Sequence, residues 1–118
     1  MPRSVAAYLA DIVDACDAID AVLEGIDLQT YERQRPTRSA VEREFILIGE
    51  AVAGIRRLRP EIVDGISNAR MIVGFRNLLA HDYSAVDDET VLGFATDDLP
   101  ILRREAAEQL RQLEGGVD

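Results

Sequence analysis

Apolar residues recur at spacings of three and four from the start of the chain: Val5, Tyr8, Leu9, Ile12, Cys16, Ile19, Leu23 and Ile26, with Asp11, Asp14, Asp17, Asp20 and Glu24 between them. This period predicts an amphipathic helix that ends near Gly25 and keeps its acids in water. Cys16 falls in the apolar stripe, where a buried, inert thiol is expected. Leu28 to Gln34 has room for one short helical turn before a break at Pro36. Thr37 or Ser39 then offers a cap for a second long helix, with Ser39 and Glu42 spaced as a capping box. Val41, Phe45, Ile48, Val52, Ile55 and Leu58 carry its apolar face to Pro60, while Gly49, Ala51, Ala53 and Gly54 keep part of the surface small enough for close helix approach.

Asn68 or Ser67 can start a third helix through Met71, Ile72, Phe75, Leu78 and Leu79 toward His81. A fourth begins near Asp87 or Asp88 and runs to about Leu113, with Pro100 marking a kink or a restart capped by Asp97 or Asp98. There is no internal repeat and no low-complexity tract. The fold class is all-α, a bundle of four main helices plus short helical turns. Residues 1–118 read as a single domain, with 115–118 frayed behind the Gly115–Gly116 pair.

Composition narrows the function. A chain of 118 residues, 47% apolar and 30% charged, can bury one core and not two. No apolar run approaches the roughly 20 residues that span a bilayer, and no secretory signal opens the sequence. A cytoplasmic protein with no membrane role is expected. One cysteine and one histidine make neither an internal disulfide nor a Cys/His zinc site, so no metal or other cofactor is expected. The net charge of −9 opposes a general nucleic-acid coat, but its distribution is uneven. Residues 1–32 hold one arginine against seven acids, residues 33–76 nine against five, and residues 77–118 three against ten. The basic middle could present a local phosphate-binding surface, and every cation in it is arginine, whose planar fork suits a phosphate.

The only histidine sits in the stretch Arg76, Asn77, Leu78, Leu79, Ala80, His81, Asp82, Tyr83, an Arg-x4-His-x-Tyr pattern. On a helical wheel Leu78, Met71, Phe75, Leu79 and Ile72 form a continuous apolar arc. Arg76, Asn77, His81 and Tyr83 fall on the other side, among the small residues Ala69, Val73 and Ala80. Five residues of separation set Arg76 and His81 about 140° apart, so one helix does not point both at one atom. Either the helix ends before His81 or two copies share a cleft. These residue types suit metal-free cleavage of RNA. An imidazole can take the proton of a ribose 2′-hydroxyl, whose oxygen then attacks the neighbouring phosphorus, while arginine meets the charge on the phosphoryl oxygens. Asn77, four residues before His81, can orient the imidazole or donate to phosphate. DNA, lacking the hydroxyl, should resist.

The motif belongs to a wider pattern: Tyr8-Leu9-x-Asp11-Ile12 at the start, Ile48-Gly49-Glu50-Ala51 in the second long helix, Arg76-Asn77 through His81-x-Tyr83, and Asp98-Leu99-Pro100-x-Leu102 late in the chain. With these the chain resembles the HepT-like toxins of the HEPN superfamily over nearly its whole length. The resemblance implies a homodimer with both Arg-x4-His motifs in a shared cleft and metal-independent endoribonuclease activity on RNA, with transfer RNA as a family-level expectation. It also implies silencing by an MntA-type nucleotidyltransferase antitoxin that transfers adenylyl groups from ATP to the tyrosine. On this chain those roles fall on Arg76 and His81 as the catalytic pair and Tyr83 as the modified residue, with Asn77 supporting. On the wheel Tyr83 lies about 20° from Arg76, which would set a nucleotide on Tyr83 over the arginine. Glu50 is read as a structural polar contact.

The alternative is a non-catalytic HEPN partner subunit that binds a nucleotidyltransferase or a nucleotide in the same cleft. A metal-dependent bundle enzyme fits poorly, because there is no Glu-x-x-His pair and no second ligand beside the lone histidine.

Overall fold

Ser4 starts the first helix with its own side chain: its Oγ accepts from the Ala7 N–H at 3.0 Å, satisfying one of the donors that a helix start leaves open. The computed structural model describes residues 3–115, the side chain of Tyr83 excepted. Helix α1 is Val5–Leu23, and Gly25, at φ +73°, takes the left-handed conformation that turns the chain out of it. The short α2, Leu28–Arg33, is capped by Asp27, whose carboxylate accepts from Thr30 N–H at 2.8 Å. Helix α3 is Arg35–Leu58, α4 Pro60–Val63, and α5 Ala69–His81. A 3-10 turn, Tyr83–Ala85, leads to α6, Asp88–Gly93; a π turn, Phe94–Asp98, joins it to α7, Leu99–Gly115. No strand occurs among the described residues. The fold is the expected all-α bundle, with α1, α3, α5 and α7 as its long members.

Helix α3 is the axis. It packs along α1 on one side and α5 on the other, and α7 lies along the outside of α1. Leu9, Ile12 and Ile19 of α1 meet Val41, Ile48, Val52 and Ile55 of α3 in a core where each is fully shielded. Burying each such side chain contributes about 1.5–3 kcal/mol over leaving it in water. Cys16 lies in this core as expected, and burial, reinforced by Asp20 and Asp17, pushes its thiol up to about 12. Gly54 lets the Tyr8 ring lie against α3: a Cβ there would stand 2.4 Å from Tyr8 Cζ. At the other end Phe45, Phe75 and Phe94 bring α3, α5 and the π turn together, with Phe75 and Phe94 stacked at 4.6 Å and both meeting Phe45 edge-on.

Several local expectations need correction. Helix α3 starts at Arg35, not behind Thr37 or Ser39, so Ser39 lies inside the helix and the Ser39/Glu42 capping box does not form. Pro36 is tolerated because the first turn of a helix has no N–H bond to lose. Asn68 occupies the N-cap of α5 but makes no capping bond; it donates instead to Asp98 at 3.1 Å, and Ser67 binds Glu105 of α7 through both its N–H and its Oγ. Of the kink or restart expected at Pro100, the restart capped by Asp97 or Asp98 does not occur: the π turn just before the proline runs directly into α7. Met71 and Leu78, read as core residues, are 45% and 43% exposed, and the buried face of α5 is Ala69, Ile72, Phe75 and Leu79. Gly115 is the last residue of α7, and the rest of the frayed end expected over 115–118 lies outside the described residues. Among the described residues no helix is long and apolar enough to cross a membrane.

Candidate active site

Gly49 sets how the key arginine stands. Where α5 crosses α3, the aliphatic stem of Arg76 occupies the place a side chain at Gly49 would need, so the guanidinium is carried over the α3 backbone toward Glu50. Nη2 of Arg76 meets Glu50 Oε1 at 3.4 Å, and Nη1 donates to Asn77 Oδ1 at 3.0 Å. Nε is buried and has no hydrogen-bond partner among the described atoms. The side chain is 27% exposed against 51% for Glu50, so the fork is half-sunk with its tip reachable. A 3.4 Å pair with an exposed carboxylate is weak, worth about 1 kcal/mol or less. Glu50 thus makes the polar contact expected of it, and its partner is the arginine of the motif.

This fork lies on the wall of a cleft of about 400 Å³ along the α3–α5 seam, beside Arg3, Tyr8, Arg57, Val73 and Asn77. A larger open cleft of about 720 Å³ continues it toward the start of α5, lined by Arg56 and Arg70 among others, and Val73 and Asn77 belong to both. Sequence reasoning did not single out Arg3, Arg56, Arg57 or Arg70. Two signals were available: Glu50, Ala53 and Arg57 share one face of α3 at spacings of three and four, as do Arg70, Val73 and Asn77 on α5.

His81 is the last residue of α5 and is exposed. The Asp82 N–H closes the helix onto Leu78 O at 2.9 Å, and Asp82 also accepts from Ser84 Oγ at 3.4 Å. The helix therefore persists through His81, which leaves the imidazole about 7.5 Å further along the axis than Arg76 and about 140° around it. His81 does not line the cleft that holds Arg76. Tyr83 falls beyond the helix in the 3-10 turn, so its wheel position near Arg76 does not apply. The structure joins Arg76 to Asn77 and Glu50, and it does not bring His81 to Arg76 within one chain. Among the described residues no group of three or more His, Cys, Asp or Glu side chains could hold a metal ion.

A bundle whose third long helix carries Arg-x4-His, its arginine on an arginine-lined seam, fits a class of small all-α ribonucleases, and the comparisons with known proteins agree. The family model described as "Ribonuclease HepT-like" matches residues 12–109. A Methanocaldococcus jannaschii protein named "Putative RNase MJ1380" is 29% identical over 103 residues, covering 87% of this chain and 94% of its own length. A Thermococcus cleftensis protein named "Probable ribonuclease HepT" is 32% identical over 107 residues, covering 87% of this chain and 93% of its own. No solved structure matches the chain significantly. The chain belongs to the HepT-like ribonucleases of the HEPN superfamily, and it is an RNA-cleaving enzyme of that toxin family.

Proposed function

We propose that the chain is the toxin of a toxin–antitoxin pair, a metal-independent endoribonuclease whose Arg76 and His81 act in a cleft shared by two copies. The observation that carries this reading is the unbroken helix from Arg76 to His81. With the two side chains about 140° apart on one rod, a single chain cannot aim both at one phosphate, and a second α5 packed against the first supplies the missing partner. His81 takes the proton of a ribose 2′-hydroxyl. The freed oxygen attacks the adjacent phosphorus, the bond to the 5′-oxygen breaks as that oxygen regains a proton, and a cyclic phosphodiester remains. The Arg76 fork, with Asn77 bound to it at 3.0 Å, meets the charge that builds on the phosphoryl oxygens.

Tyr83 is the control point in this reading. An MntA-type nucleotidyltransferase antitoxin transfers adenylyl groups from ATP to its hydroxyl, releasing pyrophosphate. Tyr83 follows His81 by two residues in the chain, and an anionic nucleotide added there competes with RNA for the site. Transfer RNA is the substrate class to try first. The test is cleavage of total RNA by protein of unmodified mass in EDTA. Cleavage is expected from the wild type and not from His81→Ala or Arg76→Ala. Intact RNA with folded, unmodified wild type would overturn the reading and favour a non-catalytic partner subunit.

A further inference from the structure

The arginines of this chain differ in how they are partnered. Arg3, Arg59, Arg103 and Arg111 are each held by a carboxylate, and Arg38 is turned back onto the carbonyls of Tyr31 and Glu32. Arg33, Arg35, Arg43, Arg56, Arg57, Arg70 and Arg104 make no ion pair among the described residues, and of these Arg56, Arg57 and Arg70 gather on the two adjoining clefts beside Arg76. An arginine held open to solvent over a concave surface, on a chain otherwise as acidic as this one, is an unspent anion site. The carboxylates on the cleft walls are Glu50, already engaged by Arg76, and Asp64. The walls between the cations are low: Val73, Ala53 and Gly74 face the clefts, and a Cβ at Gly74 would meet nothing within 4 Å. Arg70 stands six residues before Arg76 on the same helix, about 9 Å along its axis and about 120° around it, so it lines the neighbouring cleft, and the two clefts, joined at Val73 and Asn77, offer cations in series and not one point charge.

We propose that the α3–α5 seam is a track for the phosphate backbone of single-stranded RNA, in which Arg70, Arg56 and Arg57 bind the phosphodiesters that flank the one held at Arg76. This rests on the reading of Arg76 as the cation of the cleavage site. Its contacts are to phosphates, so the track fixes the strand's register without reading bases, and single-stranded DNA of the same sequence binds it equally while escaping cleavage. The three arginines are binding residues; none touches the reacting bond.

The experiment measures binding of a short labelled single-stranded RNA to full-length His81→Ala protein across a salt series, alongside steady-state cleavage by the chain with His81 intact. Each phosphate contact on a single strand contributes roughly 0.7 to the slope of log affinity against log salt. The triple variant R56Q/R57Q/R70Q should therefore lower the slope by about 2, raise KM and leave kcat near its starting value. R56K/R57K/R70K should keep the slope, which separates charge from any effect on folding. R104Q, on the α7 surface beside Asp20, should change neither. An unchanged slope and KM in the glutamine variant, with wild-type RNA cleavage intact, overturns the track and leaves the ribonuclease reading standing. RNA bound with an arginine-dependent slope but never cleaved by the wild type upholds the track and overturns that reading. RNA neither bound nor cleaved overturns both.

Discussion

A Cβ built on Gly49 would stand 2.2 Å from Cβ of Arg76 and 2.5 Å from its Cγ. The atoms in the way are the root of a side chain on a packed helix and not a flexible tip, so α3 and α5 would have to separate to admit a methyl group. Gly49→Ala should therefore destabilise the protein by about 1–3 kcal/mol, outweighing the roughly 0.5–1 kcal/mol that alanine gains over glycine in a helix. Urea unfolding measures the loss. RNA cleavage should fall further than the folded fraction does, because the same shift displaces the Arg76 fork. A variant as stable and as active as the wild type would show that the seam is looser than this.

His81→Ala should leave the fold alone and remove the chemistry. The side chain is exposed at the end of α5, so its loss should change stability by no more than the roughly 0.3–1 kcal/mol of a helix-terminal interaction. A general base contributes about 10²–10⁴ in rate, and single-turnover cleavage of RNA should fall by that factor. A decrease under tenfold would remove His81 from the role of base.

Glu50→Gln should tighten RNA binding. The carboxylate competes with phosphate for the Arg76 fork at 3.4 Å, and half of it is in solvent, so its contribution to stability is small. Affinity should rise several-fold at low salt while the unfolding midpoint stays put. Weaker binding would mean that Glu50 orients the guanidinium and does not compete for it.

The helices were legible in the sequence because their period is local, and so was the separation of Arg76 from His81, which needs only the rise and twist of one helix. What escaped depends on which helices meet. Met71 and Leu78 belong to the same apolar arc as Phe75, and no periodicity says that α3 covers only part of that arc. Gly49 reads as a small residue that permits close approach; that the approaching group is Arg76, and that Glu50 then meets the guanidinium, follows from the α3–α5 crossing alone. Pro36 predicts a break because a proline reads the same in sequence whether it precedes a helix or sits in its first turn, where the structure places it.

Acidification should loosen the periphery before the core. The Arg103 guanidinium holds the Asp17 carboxyl below its usual range, and bonds from Thr30 and from Thr90 and Glu89 do the same for the caps Asp27 and Asp87. A carboxyl depressed on folding stabilises the protein fully above its unfolded-state value, and that contribution is lost as pH falls through the folded value. Stability should be flat at neutral pH and decline below about pH 4, where free carboxyls begin to bind protons. Asp17→Asn should flatten part of that decline in urea titrations at several pH values; an unaltered slope would show that the Asp17–Arg103 pair is not formed in solution.

Cys16 should ignore thiol reagents until the protein opens. Its thiol is buried in α1 and pushed up to about 12, leaving almost no thiolate near neutrality. Labelling should be slow in native buffer and should accelerate through the unfolding transition. Prompt labelling of folded protein would show that α1 opens locally.

The π turn at Phe94–Asp98 makes α6 and α7 one rod with a phase change built into it. A π turn accommodates one surplus residue in a single wide coil, and removing a residue from an ordinary helix rotates everything downstream by about 100°. Val91 before the turn, Ala95 within it, and Leu99, Leu102 and Ala106 after it all face the core. Removing one residue within the turn would leave a plain helix in the same phase, whereas removing one from α7 just beyond it would swing Arg103 away from Asp17 and Glu105 away from Ser67 together, releasing the last helix from α1 and from the head of the helix that carries the active-site motif. The wide coil thus takes up a one-residue difference in chain length while the tail keeps its index against the start of α5.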